Sequence, residues 1–168
     1  MYEYAPQFEK KKEKLLALTL AALGVGVYFA AYVPGVPFPG VIQLLAMGLI
    51  AATVLILTMY ILRRYRYCVE EREGATETAT PDFVIVEHYG RRETVVCRVS
   101  LSSILSVMPV DAAHESEVRA AKESKHFYNY TGLLFDRSCY CVKMEEGGTP
   151  FYVLLCADER LLELLMQA

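Results

Sequence analysis

Cys139 and Cys141 stand two residues apart in a stretch of strand character, which puts both side chains on one face. A four-thiolate metal site would need two more ligands, and Cys97 and Cys156 are the candidates to converge from neighbouring strands. The ordinary reading is stronger. Structural zinc usually uses two-residue gaps at turns, whereas this is a one-residue gap in mid-strand, and a reduced cysteine packs as a small buried hydrophobe. With Cys68 the cysteines number five, and an odd set fits reduced thiols better than a closed disulfide framework. No metal ligand is assigned; a cysteine-based metal or redox sensor is the alternative function.

The three histidines, His88, His114 and His126, include no i, i+4 pair of the kind a metalloprotease helix carries. A triad of Ser138, His126 and Asp136 can be drawn, but without a nucleophile-elbow sequence or a glycine-framed oxyanion loop. Gly24-Val25-Gly26 sits inside an apolar run with no third glycine or lysine behind it, which makes it a helix-packing feature rather than a phosphate loop. No catalytic residue and no cofactor follow from these patterns, and the chain reads as non-enzymatic.

Two apolar runs set where any such chemistry would be held. Leu15 to Val33 is 19 residues without a charge, and Val41 to Leu62 is 22. As helices they reach ~28 and ~33 Å, enough to cross a hydrocarbon layer of ~30 Å. A cleaved signal peptide would have a shorter apolar region. Neither run contains an Asp, Glu, Lys, Arg or His, which argues against an ion or proton pathway. The expected organisation is a polar lead over 1–14, a two-helix membrane hairpin over 15–62 (spans 15–33 and 41–62) and a further domain over 63–168.

Charge gives the orientation. Lys10, Lys11, Lys12 and Lys14 precede the first run, Arg63, Arg64 and Arg66 follow the second, and the connector from Pro34 to Gly40 is uncharged. Short flanks rich in Lys and Arg stay on the cytoplasmic side, so a multi-pass cell-membrane protein with both termini in the cytoplasm is expected. The arginine cluster can also touch anionic headgroups. The whole chain carries 17 basic and 20 acidic residues, without the basic excess of a nucleic-acid binder. Tyr2, Tyr4 and Phe8 are placed to sit at headgroup level.

Ala22, Gly26 and Ala30 in the first run, and Gly48 and Ala52 in the second, recur every four residues and so share helix faces that let backbones approach. The short connector favours contact between the two helices of one chain, because the tether makes it nearly free in entropy. Self-association through the same stripes is the rival.

Beyond Arg64 the period changes from helical to two. Tyr65, Tyr67 and Val69 alternate with polar residues as a strand. Phe83–Glu87 and Thr94–Val99 form a hairpin about Tyr89-Gly90-Arg91, and Ile104–Val110 is a further strand. Asp111–Lys125 is a surface loop or exposed helix. Phe127–Phe135 regains strand character, and Ser138–Met144 and Pro150–Cys156 form a second hairpin. Asp158 then caps a helix whose apolar face is Leu161, Leu162, Leu164 and Leu165. About seven strands and a closing helix predict a mainly antiparallel curved sheet or open barrel with the helix as its plug.

Three segments carry a resemblance: Asp82–Gly90, Val99–Val107 and Phe151–Asp158. In this order, behind a helical hairpin, they resemble the bacterial pleckstrin-homology-like domains of small membrane proteins. The likeness covers about residues 63–167 and is one of pattern. It supplies no catalytic residues, and the family's bacterial members have mostly unassigned roles; the expected role here is a cytoplasmic domain that binds a protein partner or organises an assembly at the bilayer. Phe127, Tyr128 and Tyr130 are the candidate partner contacts, with a place in the core of the fifth strand as the equal alternative. In eukaryotic pleckstrin-homology domains a basic loop between the first two strands binds inositol lipids. Here Glu70–Pro81 holds four glutamates against one arginine, so no phosphoinositide binding is expected. No specific small-molecule ligand is evident.

Overall fold

The computed structural model describes residues 2–6, 10–35, 37–71, 80–134 and 139–167. They divide into two compact units, a helical one and a β-rich one.

The helical unit is α1 (Lys11–Ala30) and α2 (Pro39–Ile56), the latter running on through a π-helical turn at Leu57–Ile61. Leu62 N–H closes that turn on the Leu57 carbonyl at 2.9 Å. Pro39 occupies the first turn of α2, where its missing N–H costs nothing. Both helices are long and apolar enough to cross a membrane. Lys10 donates its ammonium to the carbonyls of Tyr60 and Arg63, tying the start of one helix to the end of the other.

The helices meet on a seven-residue repeat. Ala17, Gly24 and Ala31 are buried on one side, Ala46 and Thr53 on the other. A Cβ added at Gly24 would lie 3.1 Å from Ile50 Cγ1 and 3.3 Å from Leu49 Cβ, so only glycine lets the backbones come this close. The every-four stripe expected to make this contact does not. Ala22, Gly26, Ala30 and Gly48 are exposed and Ala52 is half-buried, and a Cβ at Gly26 or Gly48 would meet nothing within 4 Å. The reason is geometric. Two nearly antiparallel helices stay in register on a 3.5-residue period, whereas a strict four-residue repeat drifts around the cylinder.

The β-rich unit contains eight strands among the described residues: β1 (Tyr2–Tyr4), β2 (Arg63–Glu70), β3 (Asp82–Tyr89), β4 (Arg92–Ser100), β5 (Ile104–Pro109), β6 (Phe127–Asn129), β7 (Tyr140–Glu146) and β8 (Thr149–Leu155). One sheet runs β1-β2-β3-β4, the other β5-β7-β8-β6. Pairing is antiparallel between β1 and β2, β3 and β4, β5 and β7, and β7 and β8, whereas β6 runs parallel to β8. Gly147 and Gly148, both at positive φ, make the two-residue turn between β7 and β8 that a β-branched pair could not.

Alternation then builds one core. Tyr65, Tyr67, Phe83 and Ile85 from the first sheet meet Val142, Met144, Val153 and Leu155 from the second. Helix α4 (Glu159–Met166) adds Leu161 and Leu165, with Asp158 accepting the Leu161 N–H at 2.9 Å as its cap. The closing helix and the strand count after the hairpin match the expectation. The 111–125 stretch resolves into helix α3 (Glu115–Lys122), held by Val118 together with Ala121.

Two expectations change. Tyr2 and Tyr4, expected at headgroup level, belong to β1: they pair with Val69 and Tyr67 of β2 and pack on the core. A three-residue strand is too short to show a period, so the lead read as merely polar. Phe8 lies outside the described residues. The strand expected over 127–135 stops at Asn129, whose side-chain oxygen accepts both the N–H and the hydroxyl of Thr131 (3.0 and 2.8 Å), a local turn that competes with the ladder. Arg66 of the basic flank is also ion-paired to Glu3 and Glu93 at 3.1 and 3.2 Å.

Candidate functional site

A concavity in the β-rich unit opens between β4, which ends one sheet, and β6, which ends the other. Its volume is about 390 Å³. Strand β6 and the residue after it supply Tyr128 and Tyr130, β8 supplies Phe151 and Val153, and β4 supplies Val96 to Val99.

The aromatic floor is ordered by ring contacts. Tyr128 stacks on Tyr130 at 6.1 Å with planes 4° apart and meets Phe151 edge-on at 6.4 Å. Tyr130 also leans on Tyr65 at 5.6 Å. Its hydroxyl donates to the Val96 carbonyl at 3.3 Å, its N–H to the Leu154 carbonyl at 2.9 Å, and its own carbonyl accepts the buried Tyr67 hydroxyl at 2.8 Å. Tyr130 is thus fixed from three sides, while Tyr128 is 44 % exposed at the mouth.

The groove is chemically quiet. Burial, and then the Glu146 carboxylate, pushes the Cys97 thiol up to about 11. Burial, with Cys97 next, pushes the Tyr130 phenol up to about 12. Both are protonated at neutral pH, and a thiol so shifted is a poor nucleophile. Arg98 and His126 add polar edges, with Arg98 directed to Glu70 and Asp82 at 3.6 and 3.8 Å.

Strand β4 is itself blunted. Ile85 is opposite Cys97 while Val86 is opposite Val95, so Val96 is an extra residue in a bulge. A bulge on an edge strand disturbs the row of N–H and C=O groups that another strand would pair with.

Of the candidate partner contacts, Tyr128 and Tyr130 line this groove, whereas Phe127 does not. Val96, Arg98, Glu146 and Phe151 were not singled out from the sequence. Alternation in Thr94–Val99 tells which residues share a face, but not that the strand ends a sheet.

The four-thiolate cluster weighed as an alternative is not assembled among the described residues. Cys139 and Cys141 do not gather Cys97, and among the described residues no three metal-ligating side chains converge. The sulfurs of Cys139 and Cys156 lie 2.7 Å apart. His114 bonds Asp111 at 2.8 Å, and His88 is 3.4 Å from Glu93. Asp136 and Ser138 of the drawn triad, and most of the acidic 70–81 loop, lie outside the described residues.

Searches against protein-family models, curated proteins and solved structures match nothing to this chain.

Proposed function

We propose that this chain is a non-enzymatic, membrane-anchored interaction protein, whose two-helix hairpin holds a cytoplasmic pleckstrin-homology-like domain against the inner leaflet. The groove between β4 and β6 takes an apolar or aromatic side chain from a protein partner. The observation that carries the binding reading is the pairing of a fixed aromatic floor at Tyr130 with an exposed ring at Tyr128. Aromatic anchors in a concave pocket are the usual energetic centre of an interface. The Val96 bulge favours side-chain insertion over addition of a partner strand.

The anchor reading draws on the hairpin's outer surface. Leu18, Leu44 and Leu55 are 68 %, 70 % and 61 % exposed, and so continuous an apolar surface would be costly in water. Two crossings, rather than one, are supported by β1 and β2. They flank the hairpin and pair with each other, so the helical segment leaves and re-enters the same sheet. The basic flanks then favour the cytoplasmic side.

Site-specific photo-cross-linking in native membranes tests the groove. A cross-linker at Val95, on the exposed rim of β4, is expected to give one discrete adduct that Tyr128→Ala weakens about tenfold or more, in line with ~2 kcal/mol for an anchor residue. The same group at Leu105 on β5 is expected to give none. Equal adducts from both positions, or none from Val95, would sink the assignment. An impermeant reagent that labels the carboxyl end on intact cells would overturn the orientation.

A further inference from the structure

We propose that Cys139 and Cys156 form a dithiol–disulfide site, a reversible covalent cross-link between the start of β7 and the end of β8. It rests on the β-rich unit alone and stands whether or not the groove or the membrane reading holds.

Register brings the pair together. Tyr140 is opposite Leu155, so the next position outward on the two antiparallel strands sets Cys139 against Cys156. Each residue has a backbone group engaged elsewhere. The Cys139 carbonyl accepts the Val110 N–H at 2.9 Å, and the Cys156 N–H donates to the Tyr67 hydroxyl at 3.4 Å. A directly opposed pair without its own ladder bonds has Cα atoms ~4.5 Å apart, at the short end of the range a disulfide tolerates. The sulfurs, 2.7 Å apart, need to close only to ~2.05 Å to bond.

The other cysteines lack this arrangement. Cys68 is opposite Glu3, Cys97 opposite Ile85, and Cys141 opposite Met108 and Leu154. An odd cysteine count therefore hides one matched pair and three thiols without a thiol across the ladder.

The chemistry is thiol–disulfide exchange with a low-molecular-weight disulfide as oxidant. One protein thiolate attacks a sulfur of that disulfide and expels the first small thiolate. The second protein thiolate attacks the resulting mixed disulfide and expels the second. Two protein S–H bonds and one small S–S bond are lost; one protein S–S bond and two small S–H bonds form, and the two electrons pass to the small disulfide. Each sulfur-bearing residue is only 2 % exposed, so exchange runs through opening of the strand ends.

The experiment uses the full chain in detergent, equilibrated with glutathione and glutathione disulfide at graded ratios, quenched with an alkylating agent and mapped by mass spectrometry. The expected result is a peptide pair joined through Cys139 and Cys156 that loses two hydrogens on oxidation and regains them on reduction. Cys139→Ser and Cys156→Ser each abolish it, and Cys141→Ser retains it. The equilibration is repeated in urea below the unfolding transition, so that slow access is not read as absence of the bond. The wild-type map needs no variant to fold. Recovery of both residues alkylated at the most oxidising ratio, with and without urea, overturns the proposal. So does a cross-link from either to Cys141 or Cys97 in place of the one between them.

Discussion

Tyr2 and Asp158, 156 positions apart in the chain, are joined by a phenol-to-carboxylate hydrogen bond of 2.6 Å, and the other oxygen of that carboxylate accepts the Leu161 N–H at 2.9 Å. One side chain thus fastens the first strand to the last helix and caps that helix at once. Tyr2→Phe is expected to lower stability by about 1–2 kcal/mol. Asp158→Ala removes bond and cap together and should cost about 2–3 kcal/mol. The double variant should melt close to Asp158→Ala alone, since the coupling is already gone. Thermal melts of the full chain in detergent decide this: fully additive losses would mean that the bond is not made.

The same phenol gives an alkaline signature. Burial, then the hydrogen bond to the Asp158 carboxylate, raises the Tyr2 pKa from 10.0 to about 12, and burial raises Tyr130 as far. Between those values the folded chain keeps protons that the unfolded chain has lost, so stability falls as pH rises. The contribution is whole below pH 10 and is lost as pH climbs through about 12. Melting temperatures taken across that window should drop less steeply in Tyr2→Phe than in the parent chain.

Gly24 and Gly26 look alike in the sequence and should behave oppositely. Gly24→Leu drives a side chain into Ile50 and Leu49, and overpacking of this kind costs about 1–3 kcal/mol. Gly26→Leu meets open space and should leave the hairpin intact. Disulfide trapping between cysteines placed at Ala17 and Thr53, scored in each background, reads the difference; equal trapping in both would contradict the seven-residue seam.

Tyr67→Phe tests the wiring behind the groove. The fully buried hydroxyl donates to the Tyr130 carbonyl at 2.8 Å and accepts the Cys156 N–H at 3.4 Å. Its removal leaves a buried acceptor and a buried donor without that partner, at a cost of about 1–3 kcal/mol. Urea unfolding should show a lower midpoint with an unchanged slope.

What could be read in advance follows from how many residues vote. Two long apolar runs, the alternation of Tyr65, Tyr67 and Val69, and the Asp158 cap are local patterns with several residues each, and the structure repeats them. The three-residue strand at Tyr2–Tyr4 has no period to detect, and its partner lies beyond the whole hairpin. The seam through Ala17, Gly24 and Ala31 was hidden by a competing four-residue pattern of equally small side chains. Only the fold can tell which of the two faces inward. The groove and the Cys139–Cys156 pair both depend on which strands become neighbours across many residues, and spacing along one strand cannot report that.

Strand β1 is separated from its partner by both helices: Glu3 and Arg66, which ion-pair across the ladder, are 63 positions apart. During synthesis, β1 must therefore wait, unmated, until both helices and β2 have been made. A fragment cut at Arg63 to escape those segments would leave the flank of β2 bare, an invitation to stack against its own kind. Anyone preparing the β-rich unit by itself should carry Tyr2 and Tyr4 along, grafted ahead of β2 through a flexible link.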